Sequence, residues 1–393
     1  MSRSLTLAIL PLALFQTLIW AATFYSFPAL LPVWETDLGW GRGEISTALT
    51  GSMIVTALAS PLMGTWIDRG RSREMLLGAT VIAAGLLVCL SMVQLLWQFW
   101  VVWLAIGLVN AFLLYEACFA IITVTVGARA KTAITVVTLV AGFAGSVSFP
   151  AFHLLSEAFG WRQAVQVFAG ITLCVCLPLA AWGLKTLDRF REPHGATERT
   201  PTSQARTEVL RNSVFWWIAI GFSAMGLIHG MIISHIRPIL VELGVALATT
   251  VLVASLIGPM QVLGRIVVVT LSDRVNTFQT AIGAFLGVLI GLTALWAGGL
   301  WTLLAFVFVI PYGASYGVFS IVRPVLSAEL LGRERFGVVA GLMALPYVLA
   351  GAIGPVLSAG LWLLGGYDLV LGLSGVLVAF AIFAMFRARA GLA

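Results

Sequence analysis

Apolar residues run through this chain in about twelve blocks of roughly twenty residues, each long enough to cross a hydrocarbon core at a rise of about 1.5 Å per residue. The blocks fall near residues 8–33, 44–66, 74–93, 98–126, 131–155, 162–184, 213–236, 247–270, 277–297, 300–323, 335–361 and 366–387. This pattern predicts an all-α membrane protein with twelve transmembrane helices. One polar stretch, from Lys185 to Asn212, interrupts the series with Pro193, Gly195, Pro201 and charges of both signs. It cannot bury a core, so it reads as a cytoplasmic connector with room for a helix on the membrane surface. The expected organisation is a six-helix bundle over 1–184, a linker over 185–212 and a second six-helix bundle over 213–393.

Composition agrees with that reading, at 60% hydrophobic and 10% charged residues, which sets a soluble domain aside. The first apolar block is too long for a removable signal peptide, and no small-residue cleavage site leads from it into a polar segment. Cys89, Cys118, Cys174 and Cys176 all fall inside apolar blocks, where they read as small packing residues rather than as a disulfide or metal framework.

Charge sets the expected orientation, because loops rich in Lys and Arg stay in the cytoplasm. With the amino terminus inside, basic residues from Arg3 through Arg69, Arg71, Arg73, Arg129, Lys131 and Lys185 to Arg387 and Arg389 face the cytoplasm, whereas Arg42, Arg162 and Arg237 fall outside. Both termini are then cytoplasmic, and compactness suggests a prokaryotic-type inner membrane. The net charge of +6 needs no nucleic acid, since these loops lie beside anionic head groups of the bilayer.

The two halves echo each other. Asp68-Arg69 recurs as Asp273-Arg274, Pro150 as Pro355, and Gly160-Trp161 as Gly366-Tyr367, at offsets of 205, 205 and 206 residues. Independent landmarks agreeing so closely indicate an internal duplication of the kind found in membrane carriers.

The stretch Gly64-Thr65-Trp66-Ile67-Asp68-Arg69-Gly70-Arg71-Ser72-Arg73 resembles the loop signature of the major facilitator superfamily, one residue short before its second Gly. The second-half version, Val269-Thr270-Leu271-Ser272-Asp273-Arg274, lacks the leading Gly. The resemblance covers essentially the whole chain and implies two pseudo-symmetric six-helix bundles. In physical terms, Gly64 allows two helices to approach closely, and Asp68 can cap a neighbouring helix or pair with the adjacent arginines. Gly64, Asp68, Arg69, Arg71, Asp273 and Arg274 are the candidate gating residues, with a merely topogenic basic loop as the simpler reading.

Ionisable groups deep in a bilayer are costly and so are candidates for function. Arg265 lies eight residues before Asp273, about 12 Å into the membrane, and Glu116 lies about 15 Å from the cytoplasmic end of its span. No other charge is expected to be so central. Arg265 offers a planar fork suited to a carboxylate, or else it is a structural arginine with an internal partner. Glu116 could carry a transported proton, or sit in a permanent ion pair. Tyr25, Asn110, Tyr115, Gln261, Tyr312 and Tyr347, with Gln16 and Tyr316, are the polar groups available to orient a ligand in a mostly apolar cavity. His153, His229 and His235 read as wall residues rather than relays. Gly142, Gly145 and Pro150, with Gly351, Gly354 and Pro355, are expected to permit close packing and bending where the halves meet.

Phe27-Pro28, the run Leu38-Gly39-Trp40-Gly41-Arg42-Gly43-Glu44-Ile45-Ser46, and Arg265 eight residues before Asp273 resemble the monocarboxylate and oxalate/formate branch of the superfamily. In that branch the helix 8 arginine contacts the substrate carboxylate, which the resemblance assigns to Arg265. Ala29 stands where animal monocarboxylate carriers have a lysine, and Gln261 where they have an aspartate. The expectation is a monomeric secondary carrier for a small organic anion, proton-coupled, working by alternating access. Proton-driven efflux of hydrophobic or drug-like compounds is the alternative. No nucleotide loop, metal cluster or nucleophile motif points to an enzyme or a cofactor.

Overall fold

The computed structural model describes residues 3–191, 202–271, 274–298, 301, 303–333 and 336–391. Among these residues all regular structure is helical. We label the main helices α1 (Leu5–Leu38), α2 (Gly43–Asp68), α3 (Ser72–Ser91), α4 (Leu96–Val126), α5 (Ala130–Phe159) and α6 (Trp161–Asp188). After them come α7 (Thr202–Arg211), α8 (Ser213–Glu242), α9 (Leu247–Leu271), α10 (Thr277–Ala297), α11 (Val309–Leu331) and α12 (Phe336–Ala390). Nine of these are long and apolar enough to cross a membrane. Helix α12 holds two spans, because Gly365 and Gly366 leave helical geometry and fold it back. With α9 and α11 this gives the twelve spans of the hydropathy pattern.

Backbone polar groups inside a bilayer must be satisfied internally, so the chain is helical through each span and its turns are short. The turns use specific chemistry. Asn212 accepts a hydrogen bond from Val214 N–H at 2.9 Å and starts α8, while Asn276 and Gln279 bond each other's backbone N–H reciprocally at the start of α10. Gly160 (φ 84°) before α6 and Gly366 (φ 63°) before the second limb of α12 both adopt conformations that L side chains avoid. These are the two glycines paired by the internal repeat, and each is followed by an aromatic that ties back to its half. The Trp161 indole donates to Asp37 Oδ2 at 2.6 Å near the end of α1, and the Tyr367 hydroxyl lies 2.9 Å from His235 Nδ1 in α8.

The chain forms two compact units, one of Met1–Thr202 with Arg333–Leu345, the other of Ser203–Gly332 with Pro346–Ala393. In the first, α1 packs on α5 and α6, α2 on α4, and α3 on α4 and α6. One end of it is an aromatic core in which Phe27 meets Trp103 at 4.7 Å and Trp34 meets Phe99 at 5.0 Å, both edge to face. In the second, α11 packs along α9 and α10, and α8 on α9.

Lipid tails offer no hydrophobic gain to helix association, so close contact depends on small residues. A Cβ on Gly107 would run into the Ser52 backbone, one on Gly264 into Ala314, and one on Gly317 into the Gln261 carbonyl. Gly145 rests on the Tyr25 ring, and Gly354 on the backbone of Gly230, so these two pack inside the first and second units respectively.

The structure corrects one boundary. The apolar block expected over 300–323 is a short helical turn, Leu304–Val307, followed by α11, which runs on to Leu331. Pro324 does not end the helix, and residues 325–328 beyond it are all buried.

Candidate transport site

In the first unit two backbone irregularities face each other. Helix α1 contains a π turn over Ala21–Tyr25, and α4 breaks at Leu114, whose ψ of −167° is extended. Backbone groups released by such defects need side-chain partners from neighbouring helices. Gln16 Nε2 donates to Leu113 O at 2.8 Å, Asn110 Nδ2 to Thr23 O at 3.3 Å, and Ser148 Oγ to Ala21 O at 3.0 Å. Three buried polar atoms here, Gln16 Oε1, Asn110 Oδ1 and the Trp20 indole N–H, find no hydrogen-bond partner among the described residues.

Glu116 sits, half-buried, in the first turn of the helix that resumes after the break. The positive end of that half-helix favours a negative charge beside it. Tyr25 and Tyr115 flank Trp20, with ring centroids 6.1 and 4.8 Å from it, and Tyr115 stacks on Phe119 at 4.9 Å. The structure thus gathers Tyr25, Asn110, Tyr115 and Glu116 around one disrupted level of α1 and α4. Trp20 joins them and was not foreseen. Its signal was its position, four residues after Gln16 and three before Thr23 on one helical stripe.

In the second unit Arg265 is 5% exposed. Its Nε donates to Gly317 O at 3.3 Å, a contact made possible by the side-chain-free approach of α9 to α11 at Gly317. That bond fixes the Nε edge of the guanidinium against α11. Gln261 lies half-buried one turn earlier, its carbonyl against Gly317. Tyr312 and Tyr316 are buried on α11, with ring centroids 4.8 Å apart. His229 stacks on Tyr316 at 4.1 Å and lies 3.4 Å from the Tyr312 hydroxyl, and the Tyr316 hydroxyl donates to Met225 O. Tyr347 packs on Gly226 of α8, where any Cβ would come within 2.6 Å of its carbonyl.

Arg323 overturns the expectation that only Arg265 and Glu116 are central. It is 6% exposed, and its Cζ lies 4.2 Å above the Tyr347 ring. It stands eight residues before the end of α11, about 12 Å along the helix. Stacking on an aromatic face helps a guanidinium tolerate burial while its N–H groups bond in the ring plane. Tyr312, Tyr316, Phe319 and Arg323 form one stripe of α11 at helical spacing.

Among the loop residues, Asp68 does what a helix cap does. Its carboxylate accepts from Gly337 N–H and Val338 N–H, both at 2.7 Å, at the start of α12. Gly64 lies one turn earlier on α2, directly against Gly337, and Gly341 rests on Ser60 and Pro61. These contacts place the first turns of α12 in the first compact unit. Arg69 and Arg71 are exposed, as is Arg274, and Asp273 lies outside the described residues. His153 is an exposed surface residue 3.6 Å from Glu157. His235 bonds the Tyr367 hydroxyl through Nδ1 and faces Pro355 O through Nε2 at 3.2 Å.

No curated protein sequence matches the chain. Among solved structures, the proton:xylose symporter XylE bound to 6-bromo-6-deoxy-D-glucose matches with a TM-score of 0.72 at 13% identity, covering 98% of this chain and 95% of that one. The human organic anion transporter MFSD10 matches with a TM-score of 0.68 at 15% identity, over 98% and 99% of the two chains. A bacterial homologue of the iron transporter ferroportin, in an outward-facing state with soaked iron, reaches 0.75 at 13% identity, over 97% and 99%. At these identities the likeness is one of fold. The family model of the Major Facilitator Superfamily matches residues 12–355, and with the helical architecture it shows that this chain belongs to the major facilitator superfamily of transporters.

Proposed function

We propose that this protein is a secondary carrier for a small organic anion of the monocarboxylate type, coupled to protons and working by alternating access. The observation that carries the reading is Arg265, a permanently charged fork held 5% exposed deep in a span and anchored by its bond to Gly317 O. A carboxylate is the chemistry that such a fork recognises best, through two parallel N–H···O bonds. Arg323 is a second buried guanidinium in the same unit, stacked on Tyr347. The resemblance of Arg265 and its surroundings to the monocarboxylate and oxalate/formate branch points the same way. The fold is shared with a transporter described as acting on organic anions and with a proton symporter, so both features are compatible with this architecture.

Glu116 is the proposed proton carrier. It stands beside a helix break where three buried polar atoms await partners, and a group that gains and loses charge there would alter the local balance at each cycle. Asp68 is the proposed latch, since its two bonds to the start of α12 must break if that helix end is to move away from α2.

Uptake of labelled two- to six-carbon carboxylates into proteoliposomes, with and without a pH gradient, tests the reading. Carboxylate uptake that depends on Arg265 and responds to the gradient is expected. Efflux of hydrophobic compounds is the second reading, favoured by the aromatic group Trp20, Tyr25, Tyr115 and Phe119 next to Glu116. If Arg265→Gln left transport intact while Glu116→Gln abolished it, that second reading would replace the first.

A further inference from the structure

We propose that the end of α12, together with α7 and the starts of α8 and α10, forms a binding surface for the head group of an anionic phospholipid. The inference is independent of what the carrier moves. It begins with how the last turns of α12 are held. Gly391 packs on Val214 in the first turn of α8, where an added Cβ would come within 3.1 Å of the valine. Arg387 lies over the Trp217 ring at 5.8 Å, and Arg389 over the Phe278 ring at 4.8 Å. Phe386 completes the second contact, 5.6 Å from Phe278. The end of α12 is therefore seated between the first turns of α8 and α10, with an exposed arginine on each side.

Helix α7 belongs to the same corner. The Trp216 indole donates to Leu210 O at 2.8 Å, which ties the end of α7 to the start of α8. Arg211, exposed, precedes the Asn212 cap directly, and Arg206 lies half-buried on α7. Arg274 is exposed just before α10. Among the described residues the acidic groups at the corner are Glu208 on α7 and Glu329, which accepts from the Thr277 hydroxyl at 2.7 Å, beside five arginines; Asp273, next to Arg274 in the chain, lies outside the described residues.

The charge is not the whole argument, because a basic rim alone is compatible with simple solvation. Here Leu210, Trp216 and Phe386 are more than 40% exposed at the same level as the arginines. Apolar and aromatic side chains beneath guanidinium groups match a phospholipid in its two parts, acyl and glycerol below, phosphate above. Arg387 and Arg389 stack on rings, so their planes are held and less side-chain freedom is lost when a phosphate is bound. A soluble anion would have no use for the exposed rings.

The test uses the full-length protein, titrated in detergent with phosphatidylglycerol or phosphatidylcholine and read by native mass spectrometry and thermal midpoint. Three versions are compared first: wild type, the corner variant Arg387→Gln/Arg389→Gln, and a control of equal charge loss in the other compact unit, Lys185→Gln/Arg189→Gln, at the end of α6. Wild type and control should retain phosphatidylglycerol over phosphatidylcholine and gain thermal stability from it. The corner variant should lose that preference by roughly tenfold more than the control, beyond the diffuse attraction that both charge losses reduce alike. Arg387→Lys/Arg389→Lys should keep part of it. Should the corner variant prove unstable in neutral lipid, Arg211→Gln/Arg274→Gln makes the same measurement. Equal losses in corner and control variants would reduce the effect to diffuse attraction and overturn the proposal, as would a wild type indifferent to the head group.

Discussion

Replacing Asp68 by Asn removes a charge and one of two acceptors from the start of α12 while preserving shape. The wild-type carboxylate takes two hydrogen bonds of 2.7 Å, from Gly337 N–H and Val338 N–H. Asn can supply only one acceptor oxygen, and its amide N–H groups face a helix end that already presents donors. A hydrogen bond to a charged group contributes about 1.5–3 kcal/mol, and an anion at a helix N-terminus about 0.3–1 kcal/mol more. Water re-entering this half-buried rim offsets part of the loss, so we take about 2 kcal/mol as the net change. That corresponds to a shift of roughly 30-fold in the equilibrium between docked and released α12. The assay is a distance distribution between spin labels at Ser72 and Arg333, which lie beside the two partners in the chain. Asp68→Asn should enlarge the long-distance population and Asp68→Ala should enlarge it further. Gly64→Val, whose side chain would collide with the Gly337 carbonyl, should act in the same direction by a steric route. An Asp68→Asn distribution indistinguishable from wild type would refute the latch, however low the transport rate fell.

Arg265→Lys keeps the charge but loses the fork and the Nε bond to Gly317 O, so carboxylate uptake should fall by at least about tenfold, chiefly through weaker binding, as read by competition in proteoliposomes. Glu116→Gln should leave exchange of internal and external cargo measurable while removing the response of net uptake to a pH gradient; an unchanged response would take Glu116 out of the coupling. Gly317→Val should destabilise the protein by about 1–3 kcal/mol or more through collision with Gln261, seen as a lowered thermal midpoint and poor yield. Asn276→Ala should cost about 1 kcal/mol by uncapping α10, a small drop in midpoint with no effect on substrate preference.

Much of this arrangement is legible in the chain itself. Length and hydropathy carry the spans, since a bilayer leaves the backbone little alternative to a helix. The repeat landmarks carried geometry as well as ancestry, for Gly160 and Gly366 prove to share a positive φ with extended ψ. Arg323 was hidden because hydropathy places the end of a span at its first charge, whereas stacking on Tyr347 lets α11 carry the charge inward for two more turns. The break at Leu114 left no mark at all. It sits in Phe112-Leu113-Leu114-Tyr115, an unbroken apolar run without Gly or Pro, and its support comes from Gln16, nearly a hundred residues away. Tertiary partners decide such irregularities, and local composition does not report them.

Residues 333–345 complete the surface of the first compact unit, covering the groove along Ser60, Gly64 and Asp68 with Gly337 and Gly341. A fragment ending before the connector would therefore leave uncovered a strip of bare backbone and an aspartate deprived of its donors. A first half carrying its own fused copy of 333–345 should survive alone better than one without it.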